Sequence, residues 1–146
     1  MGHIEATKQL SVTPEALWGT VSDPSTWDKW FTIHDRWMEE PPATLTDGAT
    51  LVAKIVMLGM ANKIEWKVEK VDAPTSLVMS GAGMAGVKCQ FAFSVTPSGD
   101  GAQFSVAGDF EGAVIKGALG KAVEKDGAKQ LDKTLAQLEA LASTTA

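Results

Sequence analysis

The alternation of charged and large apolar residues over Asn62–Val71 is the feature that most constrains the fold of this chain. The segment reads N-K-I-E-W-K-V-E-K-V. Successive side chains of a β-strand point to opposite faces, so this pattern predicts a strand with one buried and one solvated face. Further strand-like segments lie at 51–58, 77–80, 87–96 and 102–110. Turn-forming residues separate most of them, including Pro97-Ser98-Gly99-Asp100-Gly101, which predicts an antiparallel meander.

The residues before the meander predict a first strand and two short helices. Ile4 to Val12 alternates roughly, as a strand does. Thr13-Pro14-Glu15 has the order of a helix start, with a hydroxyl cap, proline at the first helical position and an acid in the first turn. Asp23-Pro24 repeats this start signal, so a second short helix is expected through Trp27 toward Trp30.

The tail from about Gly112 to Ala142 has a helical pattern with two apolar faces. One face comprises Ile115, Leu119, Ala122 and Val123, and the other comprises Leu131, Leu135, Leu138 and Ala142. At about 100° per residue these faces point in nearly opposite directions. One straight helix cannot bury both against one sheet. We therefore predict a bend, a break or a change of packing partner near Asp126-Gly127.

Lysines recur every four residues along the same tail, at Lys121, Lys125, Lys129 and Lys133. Like charges at this spacing repel weakly, and the usual explanation is a solvated outer face. An acidic protein partner is the alternative.

Composition limits the class of protein. The chain has 146 residues with 13 basic and 18 acidic side chains, a formal net charge of −5. Its length suits one domain over residues 1–146, and its charge argues against nucleic-acid binding. No apolar run approaches the ~20 residues that span a bilayer, and no signal-peptide pattern is present, so no membrane insertion is expected. With Cys89 as the only cysteine, a cytoplasmic location is expected.

Wide side chains are concentrated between Trp30 and Trp66. This stretch opens with W-F-T-I-H-D-R-W and closes with G-M-A-N-K-I-E-W. Such residues beside predicted strands either fill a hydrophobic core or line a cavity. The residue pattern leaves both interpretations open.

The order of elements, together with T-P-E-A-L-W-G-T-V-S-D-P-S-T-W-D-K-W and the closing leucine-rich helix, resembles the SRPBCC superfamily. This superfamily includes START-like lipid-transfer domains and aromatic polyketide cyclases. The resemblance implies an α+β helix-grip fold. In this fold a curved antiparallel sheet of about six or seven strands wraps around a long C-terminal helix, with two short helices after the first strand.

A narrower resemblance rests on W-F-T-I-H-D-R-W, G-M-A-N-K-I-E-W and S-G-A-G-M-A-G-V-K. These segments are similar to those of an actinobacterial SRPBCC subgroup, one mycobacterial member of which is named as the toxin of a type II toxin–antitoxin pair. The subgroup brings no catalytic motif to carry over. It implies a toxin-like interaction protein as one alternative function.

The superfamily resemblance also implies a cavity for a hydrophobic ligand between sheet and helix. Trp30, His34 and Trp37 would border its entrance. Its interior would be lined by Met57, Trp66, Met79, Phe91, Phe93, Phe104 and Phe110, with Ile115 and Leu119 from the helix. Asn62 and His34 would be the polar exceptions on an apolar surface, which favours binding over catalysis. Glycines such as Gly108 could leave space in this interior.

Catalytic and metal sites have little support in the residue pattern. His34 either serves as an acid–base or ligand-binding group or holds its loop by bonding a backbone carbonyl. Asp35 and Arg36 are expected to face water or to pair with each other. Cys89 lies between aromatic residues on an inward face, which predicts a raised thiol pKa and low reactivity. Two distant histidines and one cysteine do not form a ligand cluster, so no metal and no cofactor are expected.

Gly81, Gly83 and Gly86 spell G-x-G-x-x-G after a predicted strand. A dinucleotide site requires a helix next, because the pyrophosphate binds at the helix N-terminus. Here V-K-C-Q-F-A-F-S-V follows and predicts another strand. The glycines therefore indicate a hairpin or a bulge.

Three functions are consistent with these observations. The leading hypothesis is a binding protein for a hydrophobic small molecule, such as a lipid or an aromatic polyketide. The enzyme alternative is a cyclase or dehydratase that uses His34 as its acid–base group. The third is a toxin-like interaction protein with a protein partner, and a homodimer is also conceivable.

Overall fold

The computed structural model describes residues 2–57, 60–83, 86–112 and 117–144. The strands are β1 (Gly2–Leu10), β2 (His34–Trp37), β3 (Thr50–Met57), β4 (Met60–Asp72), β5 (Ser76–Ala82), β6 (Lys88–Ser98) and β7 (Gly101–Glu111). The helices are α1 (Pro14–Val21), α2 (Trp27–Trp30) and α3 (Gly117–Thr144), and a single 3-10 turn over Pro24–Thr26 precedes α2. None of the helices in these ranges is long and apolar enough to cross a membrane.

All seven strands form one antiparallel sheet in the order β1-β7-β6-β5-β4-β3-β2. The sheet curls around α3, which packs against β1 and against α1 and α2. Register shifts in β4 between Val68 and Lys70, and in β2 between His34 and Arg36, add local bends of the kind that β-bulges produce. The predicted helix-grip fold is confirmed.

Local sequence signals explain how the first elements begin. The Thr13 side chain accepts a hydrogen bond from the Ala16 amide at 3.1 Å, which caps α1. Asp23 caps the following turn by accepting from the Ser25 amide at 3.0 Å. Both predicted helix starts are confirmed, because each cap satisfies an amide that the helix itself leaves without an acceptor.

The strand alternation predicted for Asn62–Val71 is confirmed in β4. Ile64, Trp66 and Val68 are buried, whereas Lys63, Glu65 and Lys67 between them are exposed. The glycine-rich segment after β5 leads into another strand, and the Gly83 amide donates to the Val87 carbonyl at 2.7 Å. The hairpin interpretation of G-x-G-x-x-G is therefore confirmed.

Helix α3 is continuous across Asp126-Gly127, so the predicted break is wrong. Its buried positions recur every three or four residues at Gly120, Val123, Gly127, Leu131, Thr134, Leu135, Leu138 and Ala142. Two glycines thus extend the leucine stripe toward the helix start, and the helix buries one stripe rather than two opposite faces. Leu119 lies off this stripe and is 36% exposed, so the expectation that it lines the interior is wrong. The four lysines are exposed, as predicted for a solvated face.

The packing partners of α3 do change along its length. A Cβ atom at Gly127 would lie 2.6 Å from Ile4 Cγ2, so β1 packs directly on the helix there. Further along, the Thr32 hydroxyl donates to the Gln130 carbonyl at 2.9 Å. Near the C-terminus Glu139 accepts from the Ser11 amide at 2.8 Å. Of the three alternatives predicted for this helix, the change of partner is the one observed.

Candidate functional site

Aromatic side chains fill the interior next to α2. Trp27, Trp30, Phe31 and Phe93 are almost completely buried and contact one another with ring centroids 5.5–6.0 Å apart. Phe104 extends the cluster by stacking on Phe93 at 6.1 Å. Such dense ring packing is typical of a core. Trp30 therefore does not border an entrance, contrary to the prediction.

Three tryptophans of this region have satisfied indole N–H groups. Trp27 donates to the Val21 carbonyl at 3.0 Å, and Trp30 donates to the Thr26 hydroxyl at 3.0 Å. Trp37, which is half-buried, donates to the Pro24 carbonyl at 2.8 Å. These bonds hold α1, α2 and β2 together, so their role is structural.

Three other side chains contrast with this pattern. His34 Nδ1, His34 Nε2, Asn62 Oδ1 and Trp66 Nε1 are buried, and none has a hydrogen-bond partner within the described part of the chain. Buried polar groups in proteins are nearly always hydrogen-bonded, so each exception requires an explanation such as a bound molecule. We refer to His34, Asn62 and Trp66 as the unpartnered triad.

The sheet register brings the unpartnered triad to one face. His34 of β2 lies opposite Ile55 of β3, and Ile55 lies opposite Asn62 of β4. Residues directly opposite in an antiparallel sheet project to the same side, and Trp66 shares that side because it lies four positions beyond Asn62. Ile55 is buried, so this is the concave face toward α3.

His34 is held in an aromatic environment. Its ring lies 4.5 Å from that of Trp37 and 6.1 Å from that of Trp27. Burial lowers the pKa of His34 to about 4, against a smaller opposing effect of Asp28 and Asp35. At neutral pH the imidazole is uncharged, with one nitrogen that donates and one that accepts. Neither ring nitrogen bonds a backbone carbonyl, so the prediction that His34 holds its loop through such a bond is wrong.

The edge strand that carries His34 was missed in the sequence. The prediction placed His34 between α2 and the next strand, whereas it begins β2. H-D-R-W is short and alternates weakly, so only pairing with β3 makes it a strand. Asp35 and Arg36 pair as expected, with Arg36 Nε 3.2 Å from Asp35 Oδ2.

The other predicted lining residues lie farther along the concave face. Met79, Phe91 and Phe110 are buried, and Phe91 contacts Trp66 at 5.8 Å and Phe110 at 5.6 Å. Gly108 does not leave space, because a Cβ atom there would lie 2.8 Å from Phe91. The side chain of Met57 and the whole of Ile115 lie outside the described residues.

Cys89 is 6% exposed, and burial raises the pKa of its thiol to about 12, as predicted. The described ranges contain no group of three or more His, Cys, Asp or Glu side chains placed to hold a metal ion.

A groove of about 520 Å³ lies on the outer face of the sheet rather than between sheet and helix. Its lining includes Glu65 and Lys67 of β4, Lys88 of β6, and Asp109 and Glu111 of β7. This charged lining differs from the apolar cavity that the resemblance implied. The groove and the unpartnered triad therefore lie on opposite faces of the sheet.

The family described as "Polyketide cyclase / dehydrase and lipid transport" matches residues 1–143 of this chain. The chain belongs to this family. Its curved sheet, long C-terminal helix and concave apolar face are thus accounted for by common descent, and the predicted SRPBCC membership is confirmed.

Individual relatives agree with this assignment. "Uncharacterized protein Rv1546" of Mycobacterium tuberculosis is 29% identical over 141 residues, covering 97% of this chain and 99% of the relative. "Toxin Rv0910" of the same organism is 27% identical over 123 residues, covering 84% and 85%. A solved START superfamily protein from Mycobacterium smegmatis has a TM-score of 0.80 at 16% identity, with 100% of both chains covered. The last similarity concerns the fold.

Proposed function

We propose that this chain binds a hydrophobic small molecule between the concave face of the sheet and α3, with the unpartnered triad contacting polar groups of that molecule. The observation that carries the proposal is the set of four buried polar atoms without partners. Leaving a buried polar atom unsatisfied costs about 1–3 kcal/mol. A ligand that pairs with these atoms recovers much of that free energy on binding.

The apolar part of the ligand would contact Trp66, Met79, Phe91 and Phe110. All four are buried on the concave face. Burial of apolar surface contributes about 25 cal/mol per Å², which gives useful affinity with few polar contacts. Trp30, Phe93 and Phe104 belong to the filled cluster beside α2 and would support the site from outside. The family description, which combines polyketide cyclisation with lipid transport, agrees with a ligand of this kind.

Native mass spectrometry of the purified protein, followed by denaturing extraction, tests the proposal. We expect a co-purifying lipophilic mass, or binding of a member of a lipid and polyketide panel. Asn62→Leu and Trp66→Phe should reduce the bound fraction. Lys67→Ala should not, because Lys67 is an exposed neighbour of Trp66 on the opposite face of β4. A bare protein mass together with no thermal shift across the panel would contradict the proposal.

A cyclase or dehydratase that uses His34 is the second candidate. Its support is a buried imidazole with both nitrogens unpartnered, in a family described by cyclase and dehydrase activity. A neutral imidazole can accept a proton from an enolisable substrate. Turnover of a panel of poly-β-ketone substrates that survives in a folded His34→Phe variant would rule out this role.

The name of one relative, "Toxin Rv0910", supports a third candidate, an interaction protein with toxic activity. Growth arrest on expression, relieved by a neighbouring gene product, would favour it. Action as one domain over residues 1–146 in the cytoplasm, without nucleic acid, remains a prediction for any of the three candidates.

A further inference from the structure

We propose that the ligand presents uncharged groups to the unpartnered triad, with at least one hydrogen-bond donor and one acceptor among them, such as a hydroxyl and a carbonyl, and presents neither a carboxylate nor a phosphate there. This inference rests on the proposed function, because it concerns the polar groups of the molecule bound on the concave face.

The hydrogen-bonding capacities of the triad demand both kinds of partner. The Trp66 indole N–H only donates, so it requires an acceptor on the ligand. Asn62 Oδ1 only accepts, so it requires a donor. An ionised carboxylate has acceptors alone, so it leaves the Asn62 oxygen without a donor. A ligand that carries a hydroxyl near Asn62 and a carbonyl near Trp66 satisfies both residues.

His34 fits the same class of group. Its uncharged imidazole offers one donor and one acceptor, whichever tautomer is present. Burial disfavours the imidazolium form at neutral pH, because the pKa of His34 is lowered to about 4. In the ligand-free protein His34 therefore supplies no cation that would attract an anionic ligand.

The charges around the triad also disfavour an anion. The buried polar residues within the described ranges are Thr20, His34 and Thr134, none of which is a lysine or an arginine. The charged groups that act on His34 are Asp28 and Asp35, and both are negative. An anion moved from water into such an interior loses solvation without gaining a counter-charge.

The nearest basic residue on β3 does not change this balance. Lys54 precedes Ile55, so it projects to the outer face, and its Nζ lies 3.7 Å from Asp35 Oδ2. Arg36, which lies opposite Lys54, is also exposed and pairs with Asp35. Both cations are thus directed away from the triad.

Displacement of Nile red, an uncharged fluorescent dye, tests the inference with matched probes. One pair is hexadecan-1-ol and hexadecanoate, and the other is 2-(hydroxymethyl)anthraquinone and anthraquinone-2-carboxylate. At about pH 7.5 the carboxylates are ionised. We expect the uncharged member of each pair to bind at least about tenfold more tightly, since a site built around hydrogen bonds discriminates strongly against a mismatched group.

An introduced positive charge gives an independent measurement. Asn62→Lys replaces the acceptor with a cation and should shift the preference of at least one pair toward its carboxylate by about tenfold. Gln103→Lys is the matched control, because Gln103 is exposed on β7 and adds the same charge away from the triad. Far-ultraviolet circular dichroism verifies that both variants are folded.

The outcomes separate this inference from the function on which it rests. If Nile red and the probes bind but the carboxylates bind as tightly as their uncharged partners, the inference is overturned and the ligand-binding function stands. The inference is also overturned if Asn62→Lys and Gln103→Lys have the same effect on the preference. If the folded protein binds neither Nile red nor any probe, the proposed function fails, and the inference fails with it.

Discussion

Gly127 of α3 and Ile4 of β1 are in direct contact, so close that a single added methyl group would overlap. A Cβ atom at Gly127 would lie 2.6 Å from Ile4 Cγ2 and 2.9 Å from Ile4 Cδ1. This contact lets the long helix lie against the first strand. It also determines which face of α3 is buried.

Replacement of Gly127 by alanine should therefore destabilise the protein. Alanine is favoured over glycine within a helix by about 1 kcal/mol, but overpacking against a stiff β-branched side chain costs about 1–3 kcal/mol. We expect a net loss in the free energy of unfolding, measured by urea denaturation.

Gly19→Ala in α1 is the control, because nothing lies within 4 Å of its added Cβ. That variant should be more stable than the wild type, and Ile4→Ala should relieve the Gly127→Ala defect. Equal effects at the two glycines would contradict the contact.

The same substitution at two buried tryptophans should lower the free energy of unfolding by different amounts. Trp27→Phe and Trp66→Phe remove the same atoms from side chains that are 0% and 1% exposed. Trp27→Phe also breaks the bond to the Val21 carbonyl and leaves that oxygen unpaired, whereas Trp66 has no such bond. In ligand-free protein, we expect Trp27→Phe to lower the free energy of unfolding by about 1–2 kcal/mol more than Trp66→Phe does. Urea denaturation measures both values. An equal or larger loss for Trp66→Phe would mean that the Trp66 N–H has a structural partner.

The stability of the protein should fall as His34 becomes protonated in the unfolded chain. The pKa of His34 is about 4 in the folded state, against 6.5 for an unperturbed histidine side chain. Below the higher value the unfolded chain binds the proton first, so stability is lost as the pH falls from 6.5 toward 4.

We expect His34 to lower the free energy of unfolding by about 2 kcal/mol between about pH 7.5 and pH 5. Carboxylates also titrate in this range, so the measurement is the difference between the wild type and His34→Phe, which keeps the ring contacts. Parallel pH profiles for the two proteins would show that His34 is not the group responsible.

The thiol of Cys89 should react slowly in the folded protein. It is 6% exposed with a pKa raised to about 12 by burial, so the thiolate is scarce at neutral pH. We expect reaction with a thiol-specific disulfide reagent to be at least about a hundredfold slower in the native protein than in urea. Rapid labelling of the native protein would indicate that the end of the sheet near Cys89 opens.

Local patterns were sufficient to predict most of the fold. Thr13 and Asp23 mark helix starts because a side chain caps amides only two or three residues away. The alternation around Trp66 predicts which residues of β4 are buried because the strand period depends on the backbone alone. The edge strand that begins at His34 escaped prediction because its four residues, H-D-R-W, are too few and alternate too weakly to show a strand period.

The sequence offers candidate site residues but not their arrangement. Trp30 was expected at the entrance of the cavity and Trp66 in its interior, but both are buried. One bonds Thr26 within a filled cluster, and the other presents an unpartnered N–H on the concave face. The difference arises from what each indole faces after the sheet curls.

The sequence by itself determined the period of every strand except β2, the helix starts and the family, because these depend on neighbouring residues and on inherited motifs. Only the tertiary structure decided which stripe of α3 is buried, which aromatic side chains fill the interior and which polar atoms remain without partners. Those outcomes depend on close contacts between distant segments, such as Gly127 against Ile4. A residue's own chemistry does not reveal which distant surface will lie against it.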